Sequence, residues 1–136
     1  MYLAKIIKNK DNRCGFIKLI DNGETLRVKY IYLKDKSENG ELANKILNEY
    51  ENGKSFSSLA EQYSKDGNAK NGGELGWVKT KSLVSDFSNP IRNHKLNDVF
   101  ITKTEAFGWY VIQKTHNLKN GKYLKIIKVK TKENCR

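Results

Sequence analysis

Apolar and polar side chains alternate from Leu26 to Leu33, with Leu26, Val28, Tyr30 and Tyr32 on one side of the chain. A period of two predicts a strand. Met1–Lys8 and Gly15–Ile20 are rich in Ile and Leu and predict two earlier strands. Asn9-Lys10-Asp11-Asn12 would form the turn between them, and Asp21-Asn22-Gly23 would close the second. From Asn39 to Tyr50 the period changes. Leu42, Ala43, Ile46, Leu47 and Tyr50 make one helical stripe, and Gly53 stands where a left-handed terminator is wanted. Phe56, Leu59, Ala60 and Tyr63 predict a second helix, capped by Ser55 or Ser57. Asp66-Gly67-Asn68 stops it with turn chemistry, and Gly72, Gly73 and Gly76 permit positive φ ahead of a short Leu75-Gly76-Trp77 strand. Leu83, Val84, Phe87 and Ile91 predict a third helix begun at Ser82 or Ser85. Pro90 is tolerable early in that helix and would break it deeper inside. Val99–Thr102 and Trp109–Lys114 read as strands joined around Phe107-Gly108, and Tyr123–Lys130 as a last strand.

Helices bunched between strands, without regular alternation, predict an α+β fold with a mainly antiparallel sheet. At 136 residues the chain supports one domain with a real core. No apolar run reaches the roughly 20 residues that span a bilayer. The opening Met1-Tyr2-Leu3-Ala4-Lys5 lacks the order of a signal peptide. A formal charge of +11 favours acidic partners, whether nucleic acid, an anionic membrane surface or acidic client chains; solubility and a Lys-rich bias are the preferred account of it. Cys14 and Cys135 have no metal-site spacing and read as free thiols. His94 and His116 read as surface residues.

The string Ser55 to Trp77 is unusually specific: a capped helix, a polar turn, a Gly-Gly pair, then Leu-Gly-Trp. It resembles the signature of the parvulin family of peptidyl-prolyl cis/trans isomerases. The likeness runs from about Arg27 to Gln113. It takes in Arg27–Leu33 as the family's first strand, Tyr63–Asp66 through Asn71–Trp77 as its distinctive motif, Leu83–Phe87 as the next helix, and Phe107–Ile112 as the last strand. The resemblance implies a parvulin-like antiparallel sheet packed against a few helices. It divides the chain into an N-terminal strand extension (1–24), an isomerase domain (25–116) and a basic C-terminal strand or tail (117–136). The end strands, outside the likeness, are expected to pair with each other or with residues 15–20, bringing Cys14 and Cys135 near one another.

Such proteins accelerate rotation about X–Pro bonds, a motion with a barrier of about 18–20 kcal/mol. No bond breaks, so the resemblance implies neither metal nor cofactor. It implies a proline cup of Leu75, Leu83 and Phe87, with Asp66 beside the rotating bond and Lys34 and Glu105 at the rim. Taken alone, the three apolar residues read first as core and Asp66 first as a turn former, and Lys34 reads also as a solvated charge. The family usually faces two histidines beneath the site, where this chain has Tyr30 and Tyr110. Tyrosine can donate and accept through its hydroxyl, but its ring is longer and its ordinary pKa is about 10.

Two functions follow. One is an isomerase acting on proline-containing client polypeptides during folding, with Asp66, Tyr30 and Tyr110 in catalytic roles. The other is a weakened module that binds such segments as a chaperone. The chain lacks the paired arginines of the phosphate-directed branch. A resemblance of Ala4–Lys8 and Gly15–Lys18 to a nucleic-acid-binding cold-shock barrel leaves too little chain once Leu26–Leu33 is assigned, so nucleic acid is set aside. The expected location is cytoplasmic if Met1 is the native start, and exported if the chain is a piece of a longer secreted chaperone.

Overall fold

A computed structural model describes the backbone of residues 2–8 and 15–129, and the side chains of residues 23–121. The proposed turn at Asn9–Asn12 and the approach of Cys14 to Cys135 lie outside the described residues. The elements run β1 (Tyr2–Lys8), β2 (Gly15–Leu26), β3 (Lys29–Lys34), α1 (Asn39–Glu51), α2 (Phe56–Tyr63), β4 (Val78–Lys79), α3 (Ser85–Asn93), β5 (Val99–Thr104), β6 (Gly108–Gln113) and β7 (Lys119–Val129). Single-turn 3-10 helices occupy Gly67–Asn71 and Thr80–Ser82. The architecture is α+β, with antiparallel sheets.

The described residues divide into two compact units. In the first, residues 2–8, 15–24 and 120–129, β1 pairs antiparallel with β2 from Tyr2↔Asp21 to Lys8↔Gly15, and β7 also pairs with β2. Asp21-Asn22-Gly23 does not close β2. The strand continues to Leu26, because turn-prone residues are overridden where neighbouring strands supply their backbone partners.

The second unit is Thr25–Lys119. Its centre is the sheet β3-β6-β5, antiparallel throughout. The alternation along β3 sorts its side chains to two faces. Ile31 and Leu33 go to one, with Val111 of β6, and meet Ala43 and Ile46 of α1 and Phe56, Leu59 and Ala60 of α2. Tyr30 goes to the other, with Ile112 and with Val28 from just before the strand, and meets Phe87 and Ile91 of α3. Leu26 belongs to this second cluster but not to β3; Thr25 and Leu26 pair with Lys79 and Val78 of β4 instead. The run Leu26–Leu33 is therefore two strands with a break at Arg27-Val28.

Ser55 rather than Ser57 caps α2, its hydroxyl accepting from the Ser58 amide at 3.1 Å. Pro90 lies well inside α3, contrary to the expectation that a deep proline breaks the helix. A proline there has no N–H for the carbonyl one turn back, that of Asp86. The Thr102 hydroxyl of β5 donates to that carbonyl at 3.1 Å and takes the missing partner's place. Leu75–Trp77 is not a strand: Gly76 has a φ of +76°, and β4 begins only at Val78. His94 is not a bare surface residue, since its ring stacks on Phe100 at 3.7 Å. Its carbonyl accepts from the buried Lys114 ammonium at 2.7 Å, a cation placed where the α3 C-terminus favours one.

Candidate functional site

The site lies on the α3 face of the central sheet, and the loop after α2 fixes its position. That loop runs along the outer edge of β3. The Tyr30 amide donates to the Gly73 carbonyl at 2.8 Å, the Lys65 amide to the Tyr32 carbonyl at 2.9 Å, and the Leu75 amide to the Val28 carbonyl at 3.1 Å. Asn68 adds a clamp, its side-chain amide donating to the carbonyls of Tyr30 at 3.0 Å and Gly73 at 2.9 Å. The approach is so close that a Cβ on Gly73, whose φ is +88°, would sit 2.8 Å from the Tyr30 carbonyl oxygen. Only glycine fits there without strain. Arg27 Nε donates to Glu74 at 2.7 Å and secures the far end of the loop. Burial pushes the Glu74 carboxyl up, but the Arg27 hydrogen bond, the Gly76 amide and the charges of Arg27 and Lys29 outweigh it, leaving the pKa below the ordinary value.

This wiring brings Asp66 over β3. Its carboxylate accepts from the Tyr30 hydroxyl at 2.5 Å through Oδ2 and from the Gly67 amide at 2.8 Å through Oδ1. Beside the pair opens a cleft of about 240 Å³ lined by Tyr30, Leu75, Ser82, Leu83, Val84, Phe87, Phe107 and Tyr110. Its walls are mostly apolar and its floor is aromatic. Tyr30 meets Phe87 edge-on at 5.8 Å and Tyr110 at 5.7 Å, while Phe87 and Tyr110 are 5.0 Å apart. Burial raises the Tyr30 phenol first, and the Asp66 hydrogen bond and charge raise it further. Tyr110 is pushed up to about 12, by burial and then by Tyr32 and Asp66. Both phenols stay protonated at neutral pH. Tyr30 commits its proton to Asp66, whereas the Tyr110 hydroxyl makes no hydrogen bond among the described residues. It is an unengaged donor at the cleft floor.

The chain matches the family model described as a PPIC-type PPIASE domain over residues 4–117. It belongs to that family. The PPIC-type domain also explains the wider likenesses. The chain is 33% identical over 87 residues to the chaperone SurA of Pseudomonas savastanoi pv. phaseolicola, covering 63% of this chain and 20% of that one. It thus spans about a fifth of that curated relative's length. A crystal structure of a PpiC-type peptidyl-prolyl cis-trans isomerase domain superposes with a TM-score of 0.63 at 24% identity, over 72% of this chain and 94% of that one, a likeness of fold alone. A structure described as that of PEB4 and the periplasmic protein Cj1289, two SurA-like chaperones of Campylobacter jejuni, gives a TM-score of 0.56 at 27% identity, over 84% of this chain and 43% of that one.

Within the PPIC-type domain, Leu75, Leu83, Phe87, Tyr30 and Tyr110 share the cleft, and Asp66 joins it through Tyr30. Lys34 and Glu105 do not line it. Lys34 borders a separate hollow of about 130 Å³ with Lys36 and Lys65. The Glu105 amide donates to Asp86 at 3.2 Å, which ties the β5–β6 turn to α3. Sequence reasoning missed Ser82, Val84 and Phe107. Phe107 carried a signal, being a large apolar residue in a turn that had no reason to hold one. No group of three or more metal-ligating side chains occurs among the described residues.

Proposed function

We propose that this domain catalyses cis/trans rotation about X–Pro bonds in client polypeptides. The observation that carries the reading is the Tyr30–Asp66 hydrogen bond beside an apolar cleft. A proline ring seated on Leu75, Leu83 and Phe87 would place its amide beside Asp66 and Tyr110. Rotation removes C–N resonance, so the twisted amide prefers low polarity and a few fixed partners over bulk water. Leu83 and Phe87 exclude water. Asp66, held through both oxygens, supplies a fixed negative charge, and the Tyr110 hydroxyl supplies a donor. Neither moves a proton to or from the client. The charge of +11, together with Lys34, Lys36 and Lys65 against Glu38 around the second hollow, supports acidic client segments.

A chaperone reading rests on a different observation. Two neutral tyrosines fill the floor with aromatic surface, which suits holding an apolar segment without turning it over. The relatives described as chaperones support it, and the periplasmic protein among the similar structures supports a place outside the cytoplasm, within a longer chain. Measuring isomerisation of a proline tetrapeptide separates the two readings. The isomerase reading expects Asp66→Ala to lower kcat by about tenfold or more with little change in KM, because the charge acts on the twisted amide. An unchanged rate would remove Asp66 from the mechanism. Peptide binding without any rate acceleration would leave the chaperone reading standing alone.

A further inference from the structure

Asp66 is exposed, so side-chain packing does not fix its carboxylate over Tyr30. Hydrogen bonds do, and they converge on Asn68. The Ser64 hydroxyl oxygen accepts from the Tyr32 amide at 3.1 Å, which leaves its proton for Asn68 Oδ1, also at 3.1 Å. Tyr32 is anchored at its far end too, its hydroxyl donating to the Phe107 carbonyl at 2.6 Å. With Oδ1 engaged as an acceptor, both protons of the Asn68 side-chain amide face carbonyls, those of Tyr30 and Gly73. Among short side chains only asparagine offers one such acceptor and two such donors. The Asn68 main-chain carbonyl accepts in turn from the Gly73 amide at 3.0 Å. A ring closes around one tyrosine. Asn68 holds the Tyr30 main-chain carbonyl, Asp66 holds the Tyr30 phenol, and Gly67 alone separates the two in sequence. Asp66 also caps the 3-10 turn in which Asn68 lies. Moving Asn68 away from β3 therefore moves Asp66 away from Tyr30.

We infer that Asn68, oriented by Ser64, is a positioning residue that sets the Asp66 carboxylate beside the rotating amide. The inference rests on the isomerase reading of the cleft. Asn68 does not line the cleft and acts only through Asp66. Small displacements matter there, because misplacing a catalytic group by about 1 Å can cost about a hundredfold in rate. The chemistry of the clamp also supplies a way to open and close it. Aspartate has the shape of asparagine but, when ionised, has no proton to offer. In Asn68→Asp a carboxylate oxygen would face the Tyr30 and Gly73 carbonyls, oxygen against oxygen, and the clamp would open. Protonation returns one donor and closes it. The like charge of Asp66, two residues away, favours that protonated form as well. Acid should therefore rescue the Asn68→Asp variant, an effect that loss of shape or packing would not produce.

The test compares Asn68→Asp with the wild type in proline-tetrapeptide isomerisation from pH 8 to pH 5, alone and combined with Asp66→Ala. At pH 8 kcat should fall about tenfold while KM changes by less than about twofold, the split expected when only the transition state loses a partner. At pH 5 the ratio of variant to wild-type kcat should climb back to about one-third, since one of two donors is restored. In the Asp66→Ala background Asn68→Asp should have no further effect, because a residue that acts through Asp66 is silent without it. Ser64→Ala, which removes the donor that orients the Asn68 amide, should lower kcat by about threefold and carries the test should Asn68→Asp fail to fold. An unchanged kcat in Asn68→Asp at pH 8, or in Ser64→Ala where it alone folds, would overturn the proposal. So would a loss that acid does not reverse, or one that persists undiminished in the Asp66→Ala background. A wild type without isomerisation would instead overturn the isomerase reading, and NMR of the Tyr30 hydroxyl proton would then decide the positioning claim. Its exchange with water should be faster in Asn68→Asp than in the wild type at pH 8 and similar at pH 5; equal exchange at both would overturn the claim.

Discussion

The two faces of the β3-β6-β5 sheet are built from the same strands yet put their residues to opposite use. On the α1/α2 face, Ile31, Leu33 and Val111 meet Ala43, Ile46, Phe56, Leu59 and Ala60, all nearly or fully inaccessible to water. On the α3 face, Tyr30, Tyr32 and Tyr110 stand among Phe87, Leu75 and Leu83, many of them only partly buried. The first face can therefore contribute folding energy, and the second can contribute a cleft with polar tips. Strand alternation separates core from cleft one residue at a time: Tyr30 lines the cleft, and Ile31 beside it joins the core.

That separation can be broken from either side. Ile31→Ala, on the closed face, should cost about 2–5 kcal/mol of stability through the cavity it leaves. Denaturant unfolding would measure this, and peptide binding per folded molecule should persist. Equal damage to binding would mean that the faces are coupled. Gly73→Ala tests the seam between loop and strand. Its Cβ would meet the Tyr30 carbonyl, so the expected cost is about 1–3 kcal/mol, with Asp66 displaced from Tyr30. A variant that loses stability but keeps the full isomerisation rate would show that the loop tolerates a shift. Thr102→Val removes the hydroxyl that serves the Asp86 carbonyl beside Pro90. About 0.5–1.5 kcal/mol should be lost, and proline-peptide affinity should fall because α3 carries Phe87. A change in stability alone would uncouple the packing of α3 on β5 from the cleft.

The smallest effect is in pH. The raised phenols of the open face favour the neutral form in the folded state, so their contribution is complete below pH 10. It is lost as pH rises through about 12, the value reached by Tyr110. Stability of the wild type should fall more steeply between pH 10 and 12 than that of Tyr110→Phe, whereas isomerisation attributed to these tyrosines should be flat from pH 6 to 9. Parallel stability curves for the two proteins would show that Tyr110 does not sense the change.

Much of this was readable beforehand, and the unread part has a common cause. The alternation around Tyr30, the helical stripe through Ile46 and the turn at Asp66 are local patterns, and each lies where periodicity or turn chemistry places it. Leu75, Leu83 and Phe87 required the motif, because an apolar residue looks the same in a core and in a cup. The errors arose where a distant partner decides. Pro90 sits inside α3 because Thr102, from another strand, satisfies the Asp86 carbonyl. Glu105 leaves the cleft and Phe107 enters it because Asp86 and Tyr32 fix the turn. No window of neighbouring residues contains those pairings.

Every outward backbone group of Tyr30 and Tyr32 is already occupied, by Gly73, Asn68, Ser64 and Lys65. A protein that meets unfolded chains is surrounded by unpaired strands seeking an edge on which to dock. The β3 margin refuses them. A client that engages this side of the domain must therefore be recognised by what its side chains bury and not by ladder pairing with β3, and can depart without peeling a strand from the sheet. The loop that places Asp66 at the cleft also keeps β3 from becoming a template for aggregation.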